Sequence, residues 1–224
     1  TFPGLKTTAR DSETDDHVSN ADDSITIIDT VEYSGLHVGN EYTITGTLMD
    51  QKTGKAVLDD DGNEITASKV ITAAESSGSV EIEFHFAGVS LAGKTIVAFE
   101  NLEYEGKLYA VHADLNDESQ TIYFPSIKTK AVDKNTGLNQ VKEDSNVTVV
   151  DTVTYTGLQP GKTYIMTGML MSSAGNAIVS NGRRITASTE FTPTEVLMLY
   201  STLMRLMDLV DVSMCSLSIC IWMV

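Results

Sequence analysis

Cysteine is almost missing from this chain. Its 224 residues include two, Cys215 and Cys220, both in the last ten positions, so the first 214 have no thiol for a disulfide or a thiolate metal site. A fold that needs covalent reinforcement must find it in other chemistry. Basic residues are also few: 15 Lys and Arg stand against 31 Asp and Glu, a formal charge of −16. That balance argues against nucleic acid and anionic lipid as partners, and an acidic surface mainly keeps a protein in solution. No basic, apolar leader stands at Thr1, but the chain starts in mid-pattern, so secretion stays open. What is abundant is Thr, Val, Ile and Tyr, punctuated by Gly, the composition of short strands joined by turns. The length suits one large domain or two of about 100–150 residues.

The chain repeats itself. Ile25-Thr-Ile-Ile-Asp29-Thr-Val-Glu-Tyr33-Ser-Gly-Leu36 returns as Val147-Thr-Val-Val-Asp151-Thr-Val-Thr-Tyr155-Thr-Gly-Leu158. Gly39-Asn-Glu-Tyr42-Thr-Ile-Thr-Gly46 returns as Gly161-Lys-Thr-Tyr164-Ile-Met-Thr-Gly168, and Leu5-Lys-Thr7-Thr-Ala9 as Ile127-Lys-Thr129-Lys-Ala131, all at an offset of 122. Ile65-Thr-Ala-Ser68 and Ile185-Thr-Ala-Ser188 match at an offset of 120. Thr1-Phe-Pro3 matches Tyr123-Phe-Pro125. The expected organisation is therefore the end of a preceding repeat at 1–3, a complete module at 4–125 and the first part of a second module at 126–195. Only Ser126 separates Pro125 from the next strand, which predicts a short, stiff junction.

After Glu195 the repeat vanishes. Residues 196–224 hold five of the nine methionines, both cysteines and the one tryptophan. Arg205, Asp208 and Asp211 leave no uncharged run beyond 13 residues, too short to span a membrane. A reading-frame error accounts for the tail better. Codons for Ser213–Val224 can be chosen so that another frame reads Tyr-Val-Phe-Val-Glu-Tyr-Leu-Tyr-Met-Asp-Gly. That string mimics Thr95–Gly106 near where the repeat requires it.

Strand alternation assigns the faces. Leu5, Thr7 and Ala9 share one face. So do Ile25, Ile27, Asp29, Val31 and Tyr33, and likewise Val80, Ile82, Phe84 and Phe86, which leaves His85 pointing out. Gln120, Ile122 and Phe124 align in a closing strand, and Thr95–Phe99 reads as a central strand. No stretch before residue 195 has helical periodicity. The expected fold is all-β, tandem Ig-like or pilin-like antiparallel β-sandwich modules. Three polar residues, Thr7, Asp29 and Gln120, fall on apolar faces, as does Asp151. A buried carboxylate costs several kcal/mol unless it is paired or protonated, so Asp29 needs a partner, with loop amides or Glu100 as candidates. His17 and His37 fall in polar loops. His112 closes an apolar strand eight residues before Gln120.

Four motifs in order, Thr7-Thr-Ala9, Asp29-Thr-Val-Glu-Tyr33, Val97-Ala-Phe-Glu100 and His112-Ala-Asp114 through Gln120-Thr121, resemble the Thr–Gln ester bond domains, or VaFE repeats, of Gram-positive surface adhesins. The resemblance covers module one and about half of module two. It implies a cell-wall-anchored stalk in which each module joins its first strand to its last by a Thr7–Gln120 ester, releasing ammonia. It also implies that the partners are adjacent repeats, the cell wall through an anchor and a host ligand through a tip domain. The chemistry fits the residues: His112 as base for the Thr hydroxyl, and a protonated acid from the Asp29/Glu100 pair to polarise the Gln carboxamide. No cofactor is required, and the event is single-turnover self-processing without catalytic turnover. In module two Thr129 and Asp151 have matches, while Glu100, His112 and Gln120 have none.

Other chemistries fit the residues less well. A Lys–Asn isopeptide from Lys6 and Asn116 puts Lys6 on the face opposite the core row and Asn116 in a polar loop. Asp59-Asp-Asp61-Gly-Asn-Glu64 invites a calcium or carbohydrate site, but it reads better as an Asp-Gly hairpin turn. A hydrolase built on Thr7 and His112 lacks any sign of a substrate pocket.

Overall fold

The computed structural model describes residues 2–140, 146–172, 174–194, 197–207 and 218–223. The chain divides into two compact units, Thr1–Ser126 and Ile127–Val224. Among the described residues the secondary structure is strand, with two short 3-10 turns.

In the first unit the strands are β1 (Gly4–Asp11), β2 (Ile25–Ser34), β3 (Glu41–Asp50), β4 (Lys55–Ala56), β5 (Thr66–Thr72), β6 (Gly78–Phe86), β7 (Thr95–Tyr104), β8 (Lys107–His112) and β9 (Thr121–Tyr123). They form two antiparallel sheets. One runs β1-β2-β6. In the other, β3 pairs with β4, β5 and β7, and β7 in turn pairs with β8 and β9. The alternation read from the sequence is the alternation found: Thr7, Ala9, Ile25, Ile27, Asp29, Val31, Ile82 and Phe84 are buried, and His85 is exposed. The core interleaves both sheets, with Ile27, Val31 and Phe84 against Ile44, Leu48, Ile96 and Leu102. The sheets come so close at Gly46 on β3 that a Cβ there would lie 2.5 Å from the Phe84 ring and 2.7 Å from Ile82. Only glycine fits.

β7 is the central strand expected, buried on both faces from Thr95 to Ala98. The closing segment differs from the reading by alternation. Gln120 ends a 3-10 turn, Glu118–Gln120, and the strand begins only at Thr121. Asp117 caps that turn, its side chain accepting the Ser119 amide. The strand itself is buried throughout, and the segment after β1 pairs along its free edge: Tyr123 donates its amide to His17 O and accepts from Ser19 N.

The second unit repeats the plan with β10 (Ser126–Asp133), β11 (Asn146–Thr156), β12 (Tyr164–Met171), β13 (Val179–Ser180), β14 (Arg183–Arg184), β15 (Thr186–Phe191), β16 (Leu197–Met207) and β17 (Ser218–Met223). Its sheets run β10-β11-β16 and β15-β12-β17. β16 lies beside β11 as β6 lies beside β2, and β17 beside β12 as β7 lies beside β3. Both β16 and β17 come from the 196–224 segment. The physical reason for their pairing is that apolar, β-prone sequence pairs readily with an open strand edge. Residues 208–217 of the tail lie outside the described residues.

Candidate functional site

The site of the first unit is built where the two sheets meet at one edge. β1 brings Thr7, β2 brings Asp29, β7 brings Glu100, β8 brings His112, and the turn after β8 brings Gln120. Ladder pairing sets their positions: Ala9 faces Asp29 across β1–β2, and Glu100 faces His112 across β7–β8. Thr7, Asp29, Glu100 and Gln120 are 1, 0, 0 and 0% exposed. A hydroxyl, a carboxamide and two carboxyl groups are therefore gathered inside the core, out of reach of bulk water.

Gln120 Nε2 donates to Asp29 Oδ1 at 3.2 Å. The remaining polar atoms are poorly served. Thr7 Oγ1, Asp29 Oδ2, both Glu100 oxygens and Gln120 Oε1 are buried with no aligned hydrogen bond. The Thr7 hydroxyl still lies close enough to Glu100 to act on its ionisation. Burial, followed by the charge of Asp29 beside it, pushes the Glu100 carboxyl up to about 10. Burial also raises Asp29, against the opposing pull of Glu100, Gln120, His112 and the Thr8 amide. Two carboxyl groups this close share one proton, and the Gln120 amide donating to Asp29 favours the charge there and the proton on Glu100. Asp29 is the charged partner that the amide of Gln120 serves. The sequence asked for a partner to Asp29, and the fold provides Glu100 and Gln120 together.

His112 is half-buried, and its Nε2 hydrogen-bonds to Asp117 Oδ2 at 2.7 Å. Asp117 also accepts the Ser119 amide at 2.8 Å and the Ser119 hydroxyl at 2.6 Å, both on Oδ1. Partial burial raises the Asp117 carboxyl, but Ser119 and His112 more than reverse this and hold it below its ordinary value. A charged Asp117 fixes Nε2–H on His112 and leaves Nδ1 as the basic nitrogen. Sequence reasoning stopped at Asp114 and missed Asp117 and Ser119. The available signal was Asp-x-Ser ahead of Gln120, an N-capping pattern that places a carboxylate at the mouth of the turn.

In the second unit Asp151 is buried and Thr129 is exposed. Burial raises Asp151, with the Lys130 amide opposing. Lys6 and Asn116 of the first unit are both exposed, Lys6 lying 4.0 Å from Glu32. The Asp59–Glu64 segment is a hairpin turn, Asp59 Oδ1 accepting from the amides of Asp61 and Asn63. Among the described residues no group of His, Cys, Asp and Glu is arranged to hold a metal ion.

Comparison with known families gives a match to the T-Q ester bond containing domain over residues 3–124 and again over 125–209. The chain belongs to that family. The second match extends past Glu195, beyond the point at which the repeat fades from direct view. Among solved structures, a bacterial adhesin from Mobiluncus mulieris containing intramolecular disulfide, isopeptide and ester bond cross-links aligns at 16% identity. Its TM-score is 0.49, over 93% of this chain and 100% of that one. A second crystal form aligns at 17% identity and a TM-score of 0.48, over 91% and 76%. A DUF4466 family protein from Parabacteroides merdae aligns at 10% identity and a TM-score of 0.31, over 75% of each chain. No curated protein matches the chain.

Proposed function

We propose that the first unit is a self-crosslinking stalk module of a cell-surface adhesin, in which Thr7 Oγ1 bonds to the Gln120 side-chain carbon. The observation that carries this is the set of five polar atoms on Thr7, Asp29, Glu100 and Gln120 that are buried in one place without an aligned hydrogen bond. Each such atom costs about 1–3 kcal/mol when left unsatisfied. Reaction removes the Thr hydroxyl as a donor and expels the carboxamide nitrogen. His112 takes the Thr7 proton, and Glu100 steadies the negative charge developing on Gln120 Oε1. The acid pair passes a proton to the leaving nitrogen, which Asp29 already holds, and His112 returns a proton to the pair. The Thr7 C–O–H becomes C–O–C, the Gln120 C–N bond breaks, and the hydroxyl proton leaves on ammonia. The buried site then protects the ester from water. No cofactor enters, and the groups end in their starting protonation states, so the module reacts once.

The stalk reading follows from where the two residues lie. Thr7 is on the first strand and Gln120 immediately precedes the last, so tension applied at the module ends passes through the ester and bypasses the chain between. Adjacent repeats, an external cell wall and a host ligand bound elsewhere are the partners this role calls for, on a Gram-positive cell surface. Lys6 and Asn116, being exposed, offer no protected site for an isopeptide.

The test is the intact mass of the full chain. It should fall short of the sequence mass by one ammonia, and Thr7→Ala should restore the full value. Hydroxylamine on the unfolded protein should cleave the link, since it attacks esters and spares amides. A full-length mass in the unmutated chain overturns the proposal.

A further inference from the structure

Ser119 links the nucleophile's strand to the electrophile's turn, and no step of the proposed reaction uses it. Its hydroxyl lies 3.1 Å from the Thr7 main-chain oxygen and 2.6 Å from Asp117 Oδ1. Both atoms are acceptors, and the hydroxyl has one proton to give them. The shorter contact is charge-assisted and dominates, with Thr7 O taking the weaker share. β1 is an edge strand of its sheet, paired only with β2, so the Thr7 carbonyl looks outward and Ser119 supplies its tie to the turn. One side chain thus touches Thr7 directly and His112 through Asp117. Its chain neighbour is Gln120.

We infer that Ser119 is a positioning residue for crosslinking: its hydroxyl fixes the height of Thr7 against Gln120 and holds the Asp117–His112 pair in register with both. This inference rests on the ester reading above. Bond formation demands near-contact of Thr7 Oγ1 with the Gln120 carbon, and small displacements of reacting atoms are costly in rate. The hydrogen bond is not needed for the fold itself. Ser119 is only partly buried, its amide is separately capped by the Asp117 carboxylate, and β1 keeps its ladder to β2 without the hydroxyl.

The experiment follows ester formation in time. Full chain recovered from inclusion bodies in denaturant is refolded by dilution, and samples quenched in acid are weighed for the loss of ammonia. Ser119→Ala should slow the loss about five- to tenfold, the effect of removing one or two modest hydrogen bonds from the reacting geometry. Ser119→Thr keeps the hydroxyl and should restore most of the rate. To separate positioning from folding, Ser119→Ala is also placed in the non-crosslinking Thr7→Ala chain, where its urea midpoint should stay close to that of Thr7→Ala alone. Equal rates for Ser119→Ala and the unmutated chain overturn the inference, as does failure of Ser119→Thr to rescue. So does a lowered urea midpoint large enough to account for the slower reaction. If the unmutated chain never loses ammonia, the ester reading itself has failed, which is a different result.

Discussion

At the scale of single residues, the Asp29/Glu100 pair makes a pH prediction with a definite sign. Burial, and next the neighbouring charge, raise Glu100 from 4.5 to about 10 in the folded chain. The unfolded chain releases that proton near the ordinary value, while the folded chain retains it. The stability Glu100 contributes is therefore complete below about pH 4.5 and is lost as pH rises toward 10, with a slope of at most about 1.4 kcal/mol per pH unit. Glu100→Gln has no proton to lose and escapes this penalty. In the Thr7→Ala background, which keeps the crosslink out of the measurement, the double variant should gain on the single one steadily from about pH 5 to pH 9. Urea midpoints at several pH values measure the gap. A gap that does not change with pH means Glu100 ionises normally in the fold. Much of this site was legible in advance, because a polar residue on an otherwise apolar row is conspicuous, and Thr7, Asp29 and Asp151 are such residues. Gln120 was legible as a residue but not as a turn, since one 3-10 turn has too few positions to show a period. Asp117 was hidden because its role exists only through its contact with His112. A carboxylate in an acidic loop looks like any other.

Among the elements, the segment between β1 and β2 acts as a strap over the strand that follows Gln120. Tyr123 donates to His17 O at 2.8 Å, Ser19 donates to Tyr123 O at 2.9 Å, and His17 Nδ1 reaches Thr121 O at 3.0 Å. Asp11 anchors the strap, its Oδ1 accepting the amides of Glu13 and Thr14 and its Oδ2 the hydroxyl of Ser19. The second unit carries the same Asp-capped turn, Asp133 Oδ1 accepting the amides of Asn135 and Thr136. Asp11→Ala in the Thr7→Ala background should cost about 1–3 kcal/mol, the range for stranding buried or capping donors. The Ser19 and Tyr123 amides should then exchange with solvent faster than those of β3. Unchanged exchange at both positions rules out Asp11 as the anchor. His17, which the sequence placed in a polar loop, is tied to β9 by this strap, a long-range pairing that local composition cannot reveal. The tail poses a related question. β17 pairs Ile219 with Leu170 of β12, close to the register in which β7 pairs Ala98 with Leu48 of β3. We propose that the tail encodes this strand in another frame. DNA sequencing should find that a single-base change restores a segment ending in Phe-x-Glu, and an intact frame without one ends the idea.

For the molecule as a whole, the proposed ester would change which deformations are open to the first unit. Thr7 and Gln120 enclose a loop of more than a hundred residues, nearly the whole unit. By analogy with disulfides, closing a loop of that size removes unfolded-state entropy worth about 4–5 kcal/mol. Once formed, the proposed bond would join the two sheets, so neither could peel from the other at this edge without breaking a covalent link. Elsewhere the unit relies on the apolar core shared by its sheets. Thr7→Ala leaves that core untouched and should preserve the fold while lowering the melting temperature by about 10–20 °C. The change should appear chiefly as faster unfolding, because a link formed only after folding is absent from the folding transition state. The second unit supplies an internal comparison. It shares the strand plan, but its Thr129 is exposed where Thr7 is buried, so it starts without the protected geometry that ester formation requires. Limited proteolysis should therefore cut residues 127–224 first and leave a resistant fragment beginning near Gly4 and ending near Pro125. In the Thr7→Ala chain the difference in survival between the two units should narrow markedly. If the second unit resists protease as long as the unmutated first, the crosslink is not the main source of the first unit's resistance.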